Sequence, residues 1–340
     1  MIKTALITGM TGQDGTYLAE FLLEKGYHVF GLCKKNLSLT LKQHEKKLTY
    51  LIGNLNDPHS IQEAVHHSQP DEVYNLASQS YPGESWDLAI ETVKTNGLGA
   101  HILFDMVRQL KPTCRIYQAS SSEMFGGSVQ TPQNENTPFN PLNPYAAAKL
   151  YAHHIAQIYR KSYNMFISCG ILFNHESPRR GMHFITQKIT YAAACLKLGI
   201  QNSSILNEKG DPIVNHGKLS LGNLEARRDW GYAGDYVEAM WLMLQQPQPD
   251  DFIIGTGQIK TIRQVCEIAF SYVGLDWEKY VITDNRLIRP TETGPTVADA
   301  TKAKNILGWQ PKKSFENLIT EMVDHHLAEL GRRCVMPACS

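Results

Sequence analysis

Short apolar runs and helix-like repeats alternate along the first half of the chain. Apolar runs of strand length lie at six places, residues 3–8, 28–33, 48–53, 71–77, 114–120 and 165–172. Between them, apolar residues recur every three or four positions, most clearly over residues 16–27, 94–110 and 145–163. Regular alternation of strand and helix is typical of a parallel sheet with helices on both faces. The pattern predicts an α/β fold with a doubly wound parallel sheet, which binds ligands at the carboxyl ends of its strands.

The alternation fades after about residue 173. Two polar, turn-rich stretches occupy residues 174–181 and 205–223, and helix-like spacing returns at 235–246, 261–273 and 314–331. We therefore expect a nucleotide-binding domain over residues 1–173, rejoined by segments near 220–245. A smaller, discontinuous and mostly α-helical substrate domain is expected over residues 174–335.

Charge and cysteine content narrow the classes of partner. The 340 residues include 33 Lys and Arg and 33 Asp and Glu, so the formal net charge is zero. A chain without net charge is poorly suited to bind nucleic acid or an anionic membrane. Any anionic ligand must therefore be held by a few lysine or arginine side chains at its binding site. The opening MIKTALITG lacks the apolar core of a signal peptide, and no apolar run approaches bilayer length. Seven scattered cysteines without a CxxC pair favour a reducing compartment. We expect a cytoplasmic protein with no metal, no nucleic acid and no membrane partner.

A glycine-rich turn follows the first predicted strand and opens the first predicted helix. Gly9, Gly12 and Gly15 recur there at every third position. Such glycines let backbone N–H groups approach a pyrophosphate at a helix N-terminus, which predicts a Rossmann-type dinucleotide site. The alternative is a turn with only a structural role. The candidate cofactor-binding residues of this turn are Gly9, Thr11, Gly12, Gln13, Asp14 and Gly15.

The end of the second predicted strand discriminates between the two dinucleotides. An acid there would bind the ribose 2′-hydroxyl of NAD, but the chain has Lys34 and Lys35. Two ammonium groups suit a 2′-phosphate and favour NADP, the alternative being a pair of solvated surface lysines. Asn54, with Leu55 beside it, ends the third strand, where a polar residue would contact the adenine.

Tyr145 and Lys149 stand one helical turn apart, after a predicted helix start at Asn143 and Pro144. A phenol is a poor base at its usual pKa of about 10. A neighbouring ammonium and a positive nicotinamide would lower that pKa. The pair would then suit proton transfer at a carbinol during hydride transfer. Upstream, the strand ending QASSSEMFGG places a serine run directly before Glu123.

Longer stretches match a known pattern over nearly the whole chain. They include TGMTGQDGTYLAEFLLEKGY, YQASSSEMFG, PYAAAKLYA, GILFNHESPRRG and LGNLEARRDWGYAGDYVEAMWLMLQ. In these stretches the sequence resembles the extended short-chain dehydrogenases/reductases, and among them the nucleotide-sugar 4,6-dehydratases. The resemblance implies four catalytic residues, Ser121, Glu123, Tyr145 and Lys149. Ser121 stands where the family usually has Thr, and Glu123 matches the essential carboxylate that a plain reductase does not need.

The resemblance also implies further binding residues. Those assigned to the cofactor are Leu76, Ala77, Ser80, His175 and Arg180, together with Tyr145 and Lys149. Those assigned to the nucleotide sugar are Ser80, Ser122, Asn174, Lys188, Arg228, Arg289 and Glu292. Arginine and lysine side chains that face a diphosphate suit a neutral protein with an anionic substrate. The resemblance further implies a homodimer or a homotetramer.

The implied reaction is a dehydration that returns its cofactor unchanged. Tyr145 accepts the C4-hydroxyl proton as C4 is oxidised, Glu123 removes the C5 proton, and the C6 hydroxyl leaves as water before hydride returns to C6. NADP would stay tightly bound and be recycled. GDP-mannose is the expected substrate and GDP-4-keto-6-deoxymannose the product. The alternatives are the same chemistry on GDP-heptose or GDP-N-acetylglucosamine, and a non-catalytic NADP-binding regulator. Glu123 argues against a plain epimerase or reductase.

Departures from the family pattern leave the sugar and the assembly open. Lys34 and Lys35 replace a usual Arg–Arg pair, Asn54 replaces Asp, and Glu91 replaces an aromatic residue. RPTETG lacks the family's acid-rich continuation.

An insert over residues 201–219 is longer than the family norm and lies beside the expected substrate region. It has two interpretations, because long loops are tolerated cheaply but are often functional. It is either a surface loop or a lid whose Asn215, His216 or Lys218 contacts the substrate.

Overall fold

Seven parallel strands form the central sheet of the computed structural model, which describes residues 2–34, 47–288 and 294–335. The strands in chain order are β1 (Thr4–Thr8), β2 (His28–Cys33), β3 (Leu48–Ile52), β4 (Glu72–Asn75), β5 (Arg115–Ser121), β6 (Ile167–Leu172), β7 (Asn174–Glu176), β8 (Val214–Asn215), β9 (Lys218–Leu221), β10 (Arg227–Tyr232), β11 (Asp251–Ile254), β12 (Ile259–Thr261) and β13 (Val281–Thr283). The central sheet has the order β11-β6-β5-β4-β1-β2-β3. The chain winds outward from β1 to one edge and then the other, which opens a crevice at the carboxyl ends of β1 and β4.

Helices cover both faces of this sheet. In chain order they are α1 (Gln13–Glu24), α2 (Pro58–Ser68), α3 (Ala89–Thr92), α4 (Gly99–Leu110), α5 (Pro144–Tyr163), α6 (Ile185–Lys197), α7 (Ala233–Leu244), α8 (Ile262–Tyr272) and α9 (Phe315–Val335), with a π-helical turn at Val93–Leu98 between α3 and α4. Leu18 of α1 and Met240 of α7 pack into the core on one face, and Leu103 of α4 into the core on the other. Burial on both faces explains why the strands read as continuous apolar runs. In the described ranges no helix combines the length and apolarity needed to cross a membrane.

The sheet confirms the predicted α/β doubly wound fold. All six predicted strands are present, with ends that shift by at most two residues. α1 begins at Gln13 rather than at residue 16, because Gly12 is its N-cap. The sequence pattern did not predict α6, β11 or the short strands β7–β10, β12 and β13. α6 is buried from Thr186 to Leu196 without a break, so it lacks the polar face that marks a helix in a sequence.

The chain from β7 onward builds a second packed region at the carboxyl ends of the central sheet. Two three-stranded sheets, β12-β10-β7 and β13-β9-β8, accompany α6, α8 and α9. Their shared core includes Trp230, Phe270 and Met322. α7 and β11 return to the central sheet, where β11 pairs with β6. The domain boundary at residue 173 stays a prediction.

Candidate active site

The turn between β1 and α1 is shaped for close backbone approach. Gly9 has φ +70°, and a Cβ there would lie 2.7 Å from the backbone of Ala77. A Cβ on Gly15 would lie 2.5 Å from the Cα atom of Met10. At Gly12, the N-cap of α1, the nearest atom to a Cβ would be the Gly9 carbonyl oxygen at 3.4 Å. Packing therefore requires Gly9 and Gly15, whereas Gly12 leaves the helix N-terminus open to a phosphate.

Asp14 and His175 join this turn to β7. The His175 Nε2 and Asp14 Oδ2 atoms are 2.8 Å apart, and His175 Nδ1 lies 2.8 Å from the carbonyl oxygen of Phe173. Both ring nitrogens face oxygen acceptors, which fits the imidazolium form. Burial opposes both charges, but the pairing outweighs it and lowers the pKa of Asp14 to about 2. For the same reason the pKa of His175 is raised.

Glu123 is oriented by contacts from two sides. It lies in a 3-10 turn, Ser122–Phe125, directly after β5. Its backbone N–H donates to the Ser121 hydroxyl at 3.2 Å, and its Oε2 accepts from Asn143 Nδ2 at 3.0 Å. Asn143 also caps α5, since its Oδ1 accepts from the backbone N–H of Ala146 at 2.8 Å. The cap was predicted from the sequence, but the contact with Glu123 was not, because a helix-start pattern gives no signal for it.

Tyr145 and Lys149 lie buried on one face of α5. Lys149 Nζ donates to the Ala119 carbonyl at 3.0 Å and lies 5.7 Å from the centre of the Tyr145 ring. Burial lowers the pKa of Lys149 to about 8. Burial raises the pKa of Tyr145 to about 12, although a hydrogen bond with Ser121 acts in the opposite direction. The protein's own groups therefore do not produce the expected depression of the phenol pKa, because desolvation outweighs the nearby positive charge.

Two pockets open beside these side chains and share Pro82, Glu123, Asn174 and Phe184 as lining residues. The smaller has a volume of about 110 Å³ and the larger about 330 Å³. The smaller pocket brings together all four expected catalytic residues, Ser121, Glu123, Tyr145 and Lys149. It also contains some of the expected binding residues, namely Asp14, Leu76, His175 and Arg180 for the cofactor, Ser80 for both ligands, and Ser122 and Asn174 for the substrate. The larger pocket contains Lys188 and Arg228 as well as Glu123 and Asn174. Glu123 therefore stands where the two pockets meet.

The other expected residues lie outside the linings of both pockets. They are Gly9, Thr11, Gly12, Gln13, Gly15, Lys34, Asn54, Leu55 and Ala77. Lys34 is exposed, with its Nζ 3.9 Å from Glu91 Oε1. Leu55 is buried in the core. Three expected residues, Lys35, Arg289 and Glu292, fall outside the described residues.

A second polar cluster lies behind β5. His153, Cys169 and Asp251 place potential metal-ligand atoms within 4.8 Å of one another. The Arg160 guanidinium pairs with Asp251, so a cation already neutralises the carboxylate that a metal would need. His153 Nδ1 lies 2.9 Å from the Ser120 hydroxyl, and burial lowers the pKa of His153 to about 4. The cluster therefore fits a structural role better than a metal site.

Comparisons with known sequences agree with the resemblance seen in the sequence. A family model described as GDP-mannose 4,6 dehydratase matches residues 6–322. GDP-mannose 4,6 dehydratase 1 of Arabidopsis thaliana is 45% identical over 348 residues, which cover 97% of this chain and 91% of the relative. The GDP-mannose 4,6 dehydratase of Homo sapiens is 42% identical, with 97% of this chain and 92% of the relative covered.

Solved structures of other sugar-nucleotide enzymes share the fold. UDP-glucose 4-epimerase from Thermotoga maritima matches with a TM-score of 0.81 at 22% identity, over 96% of this chain and 99% of that one. dTDP-glucose 4,6-dehydratase from Bacillus anthracis, solved in complex with NAD, has a TM-score of 0.80 at 20% identity, over 97% and 98%. At this identity the likeness concerns the fold alone. The family is shown by the match of the sequence to the family model and by its identity with both relatives. The chain belongs to the GDP-mannose 4,6-dehydratase family, whose members are enzymes of the lyase class.

Proposed function

We propose that this protein converts GDP-mannose to GDP-4-keto-6-deoxymannose by a 4,6-dehydration. The position of Glu123 carries the proposal, because this carboxylate lines both pockets just after the strand that ends in Ser121. A base at that point can reach a sugar that extends from the larger pocket toward the smaller one. Oxidation at C4 alone would need no such base. The relatives that are named for GDP-mannose support the choice of sugar.

A nicotinamide dinucleotide fits the residues present. Gly12 leaves the N-terminus of α1 open, and the smaller pocket gathers Ser121, Tyr145 and Lys149. When bound there, the cofactor supplies the hydride acceptor and donor for the sugar. The residues proposed to hold it are Gly9, Thr11, Gly12, Gln13, Asp14, Gly15, Lys34, Lys35, Asn54, Leu55, Leu76, Ala77, Ser80, Tyr145, Lys149, His175 and Arg180.

NADP is the proposed dinucleotide, tightly bound and recycled between turnovers. Lys34 follows β2 with an exposed ammonium group, where a 2′-phosphate would approach. Lys34→Ala should therefore weaken NADP binding by about tenfold and NAD binding far less, because a charge-assisted contact is lost. Calorimetry on cofactor-stripped protein measures both affinities, with the exposed Lys161→Ala as the control. Equal losses for the two dinucleotides would contradict the assignment.

Tyr145 is the proposed acceptor of the C4-hydroxyl proton, and Ser121 holds the same sugar oxygen. Burial favours the neutral phenol and raises the pKa of Tyr145 to about 12. The Lys149 ammonium, 5.7 Å from the ring centre, lowers the cost of the phenolate when the proton moves. Lys149 keeps its place through its hydrogen bond to the Ala119 carbonyl.

Glu123 is proposed to act once C4 is a ketone, which makes the C5 proton acidic. The carboxylate takes that proton, and the C5–C6 double bond forms as the C6–O bond breaks. Glu123 then gives the proton to the departing C6 oxygen, so that water leaves and the carboxylate is restored. Asn143 and the turn after β5 hold the carboxylate in one orientation during both transfers.

The larger pocket is the proposed site of the GDP group. Lys188, Arg228 and Asn174 line it and offer donors to a diphosphate, and Ser80 and Ser122 face the sugar from the smaller pocket. Arg289 and Glu292 complete the proposed substrate set.

Mass spectrometry of products tests the proposal. The purified protein is incubated separately with GDP-mannose, GDP-heptose and GDP-N-acetylglucosamine. Loss of one water from GDP-mannose is the expected result. Loss of water from another sugar alone would move the substrate and keep the chemistry. Bound cofactor without turnover of any sugar would favour a regulatory protein.

We further propose a homodimer or homotetramer in the cytoplasm. Leu88, Ile90, Val93 and Leu98 expose large apolar side chains along one helical stretch, and Tyr151 of α5 is exposed next to it. Several exposed large apolar side chains in one stretch of the chain favour association between copies. Cys33, Cys114, Cys169, Cys195 and Cys266 are buried and free, in keeping with a reducing compartment.

A further inference from the structure

The insert over residues 201–219 is an ordered β-hairpin rather than a loose loop. The Ser203 N–H donates to the Val214 carbonyl at 2.8 Å and the Ile213 N–H to the Ile205 carbonyl at 2.9 Å. An antiparallel bridge joins Leu206 and Pro212 between them. At its tip, the Asn207 side chain accepts from the backbone N–H groups of Lys209 at 2.9 Å and Asp211 at 3.1 Å. We call residues 205–213 the hairpin tip.

Two carboxylates of the hairpin tip pair with cations of the larger pocket. Glu208 Oε2 accepts from Lys188 Nζ at 2.7 Å, where the lysine side chain is 8% exposed and the glutamate side chain 25%. Asp211 Oδ2 accepts from Arg286 Nη2 at 3.0 Å in a more exposed pair. Glu208, Lys188 and Arg286 all line the larger pocket. The hairpin tip therefore brings two carboxylates to the larger pocket, and each carboxylate pairs with a basic side chain of the pocket.

A diphosphate in the larger pocket would need the same ammonium group of Lys188. An ammonium has three donors, but a carboxylate and a phosphate that share it lie within a few ångströms and repel each other. The mostly buried position of the Lys188–Glu208 pair limits screening by water. Binding of the anion therefore favours departure of Glu208.

We propose that the hairpin tip is a latch, in which Glu208 occupies Lys188 until the diphosphate of the substrate displaces it. Glu208 is then a specificity-determining residue, because only a ligand with enough negative charge opens the latch. This inference rests on the proposed function, which assigns the larger pocket to GDP. Asp211 supports the same arrangement from the rim of the pocket.

The contacts of the insert favour a latch over the two interpretations raised by the sequence. A surface loop would not line the larger pocket, yet Glu208 and Lys209 do. A lid that used Asn215, His216 or Lys218 would place these residues in its lining, and none of them is there. Lys218 Nζ instead donates to the Lys279 carbonyl at 2.6 Å.

Calorimetry with GDP and guanosine on Glu208→Gln tests the latch. We expect Glu208→Gln to lower the Kd for GDP by about three- to tenfold, since its competition with the diphosphate is removed. Guanosine, which has no phosphate, should bind the two proteins equally. Glu225→Gln is the matched control, because Glu225 pairs with Arg263 and lines neither pocket. Weaker or unchanged GDP binding by Glu208→Gln, or an equal gain with guanosine or in Glu225→Gln, would overturn the proposal.

The rate of trypsin cleavage after Lys209 is a second measurement, and the latch and the lid predict opposite changes in this rate when GDP is added. A latch predicts faster cleavage of the wild-type protein when GDP is added, because the tip leaves the pocket. A closing lid predicts that GDP protects Lys209 from cleavage, and a static loop predicts an unchanged cleavage rate. Either result overturns the latch.

If GDP behaves as expected but GDP-mannose gives no keto product, the proposed function fails and the latch stands. If GDP-mannose is turned over and Glu208→Gln does not tighten GDP, the latch alone fails. A wild-type protein that does not bind GDP overturns both.

Discussion

Lys149 and Glu123 illustrate, at the scale of single residues, how the site places and orients its charged groups. Burial lowers the pKa of Lys149 to about 8, and its one described hydrogen bond goes to the Ala119 carbonyl. Glu123 depends on an amide and a turn for its orientation. A buried charge such as that of Lys149 costs folding stability and serves chemistry, a common trade-off in active sites.

Glu123→Gln tests the base directly. The amide has the shape of the carboxylate but cannot accept the C5 proton. We expect formation of the 4-keto-6-deoxy product to fall by about 10²- to 10⁴-fold, while oxidation at C4 persists because it uses Tyr145. Single-turnover mass spectrometry with GDP-mannose measures the product, and cofactor absorbance measures the oxidation. Glu135→Gln is the control, since Glu135 accepts from the Ile253 N–H outside both pockets. Product formation near the wild-type rate in Glu123→Gln would disprove the role.

Lys149→Met should stabilise the protein while it abolishes turnover. The folded pKa of about 8 lies below the ordinary value of 10.5, so the unfolded chain binds more protons between these values. Stability therefore rises with pH across this range, and below about pH 8 the buried charge carries its full cost. At pH 7 we expect a gain of about 1–2 kcal/mol, reduced by the lost hydrogen bond to the Ala119 carbonyl and shrinking toward pH 10. Urea unfolding measures it, with the exposed Lys161→Met as control. A less stable Lys149→Met protein at pH 7 would contradict the assignment of this cost.

At the scale of elements, the site forms where α1, β5, α5 and β7 converge. The ends of these elements carry its side chains, and pairs between elements fix their distances. The pair of Asp14 on α1 and His175 on β7 is one such connection. With side chains 21% and 11% exposed, it is shielded from most of the solvent.

Asp14→Asn should loosen that connection in a pH-dependent manner. Asp14 contributes stability above its ordinary pKa of 3.8, which is lost as the pH falls toward 2. His175, whose folded pKa is raised, contributes below its ordinary value of 6.5 and loses this contribution as the pH rises through the folded pKa. At pH 5 we expect a loss of about 1–3 kcal/mol in Asp14→Asn, and a smaller loss at pH 9. Urea unfolding at both pH values measures it, beside Asp105→Asn, which breaks a more exposed pair within α4. Equal losses at pH 5 and pH 9 would rule out the charge pair as the cause.

The elements of the site could be predicted from the sequence, whereas the contacts between them could not. The glycine turn and the N-cap of α5 each lie within a few residues, where spacing reports geometry. The Asp14–His175 contact joins residues 161 positions apart, and the Asn143–Glu123 contact joins residues 20 apart. The Glu208 contact with Lys188 likewise depends on how the hairpin folds back. The periodicity of a single sequence does not indicate contacts between distant residues. A helix that is buried on all sides, such as α6, does not even show the 3.6-residue period of apolar positions.

At the scale of the whole molecule, the apolar stretch from Leu88 to Leu98 is the proposed contact between subunits. Ile90 is 71% exposed there, although it is a large aliphatic residue. Removing such a side chain from water in a subunit contact is favourable by about 1.5–3 kcal/mol. A charge at this position should reverse that gain.

Ile90→Glu should therefore reduce the protein to a smaller species. Light scattering after size-exclusion chromatography should show about half the wild-type mass, because a buried unpaired charge opposes association. Val129→Glu is the matched control, since Val129 is 99% exposed and lies outside this stretch. An unchanged mass for Ile90→Glu would place the subunit contact elsewhere.

The double use of Asn143 restricts how this protein can be redesigned or can evolve. Its Oδ1 caps α5 and its Nδ2 orients Glu123 at 3.0 Å. Aspartate would cap the helix but set a second anion against the base, and serine would cap it without a second polar group to offer. Asparagine alone combines a short acceptor with an amide donor. Thermostability and turnover therefore cannot be improved independently at this position, and a mutational route to a different base must either keep asparagine or give up the amide contact with Glu123.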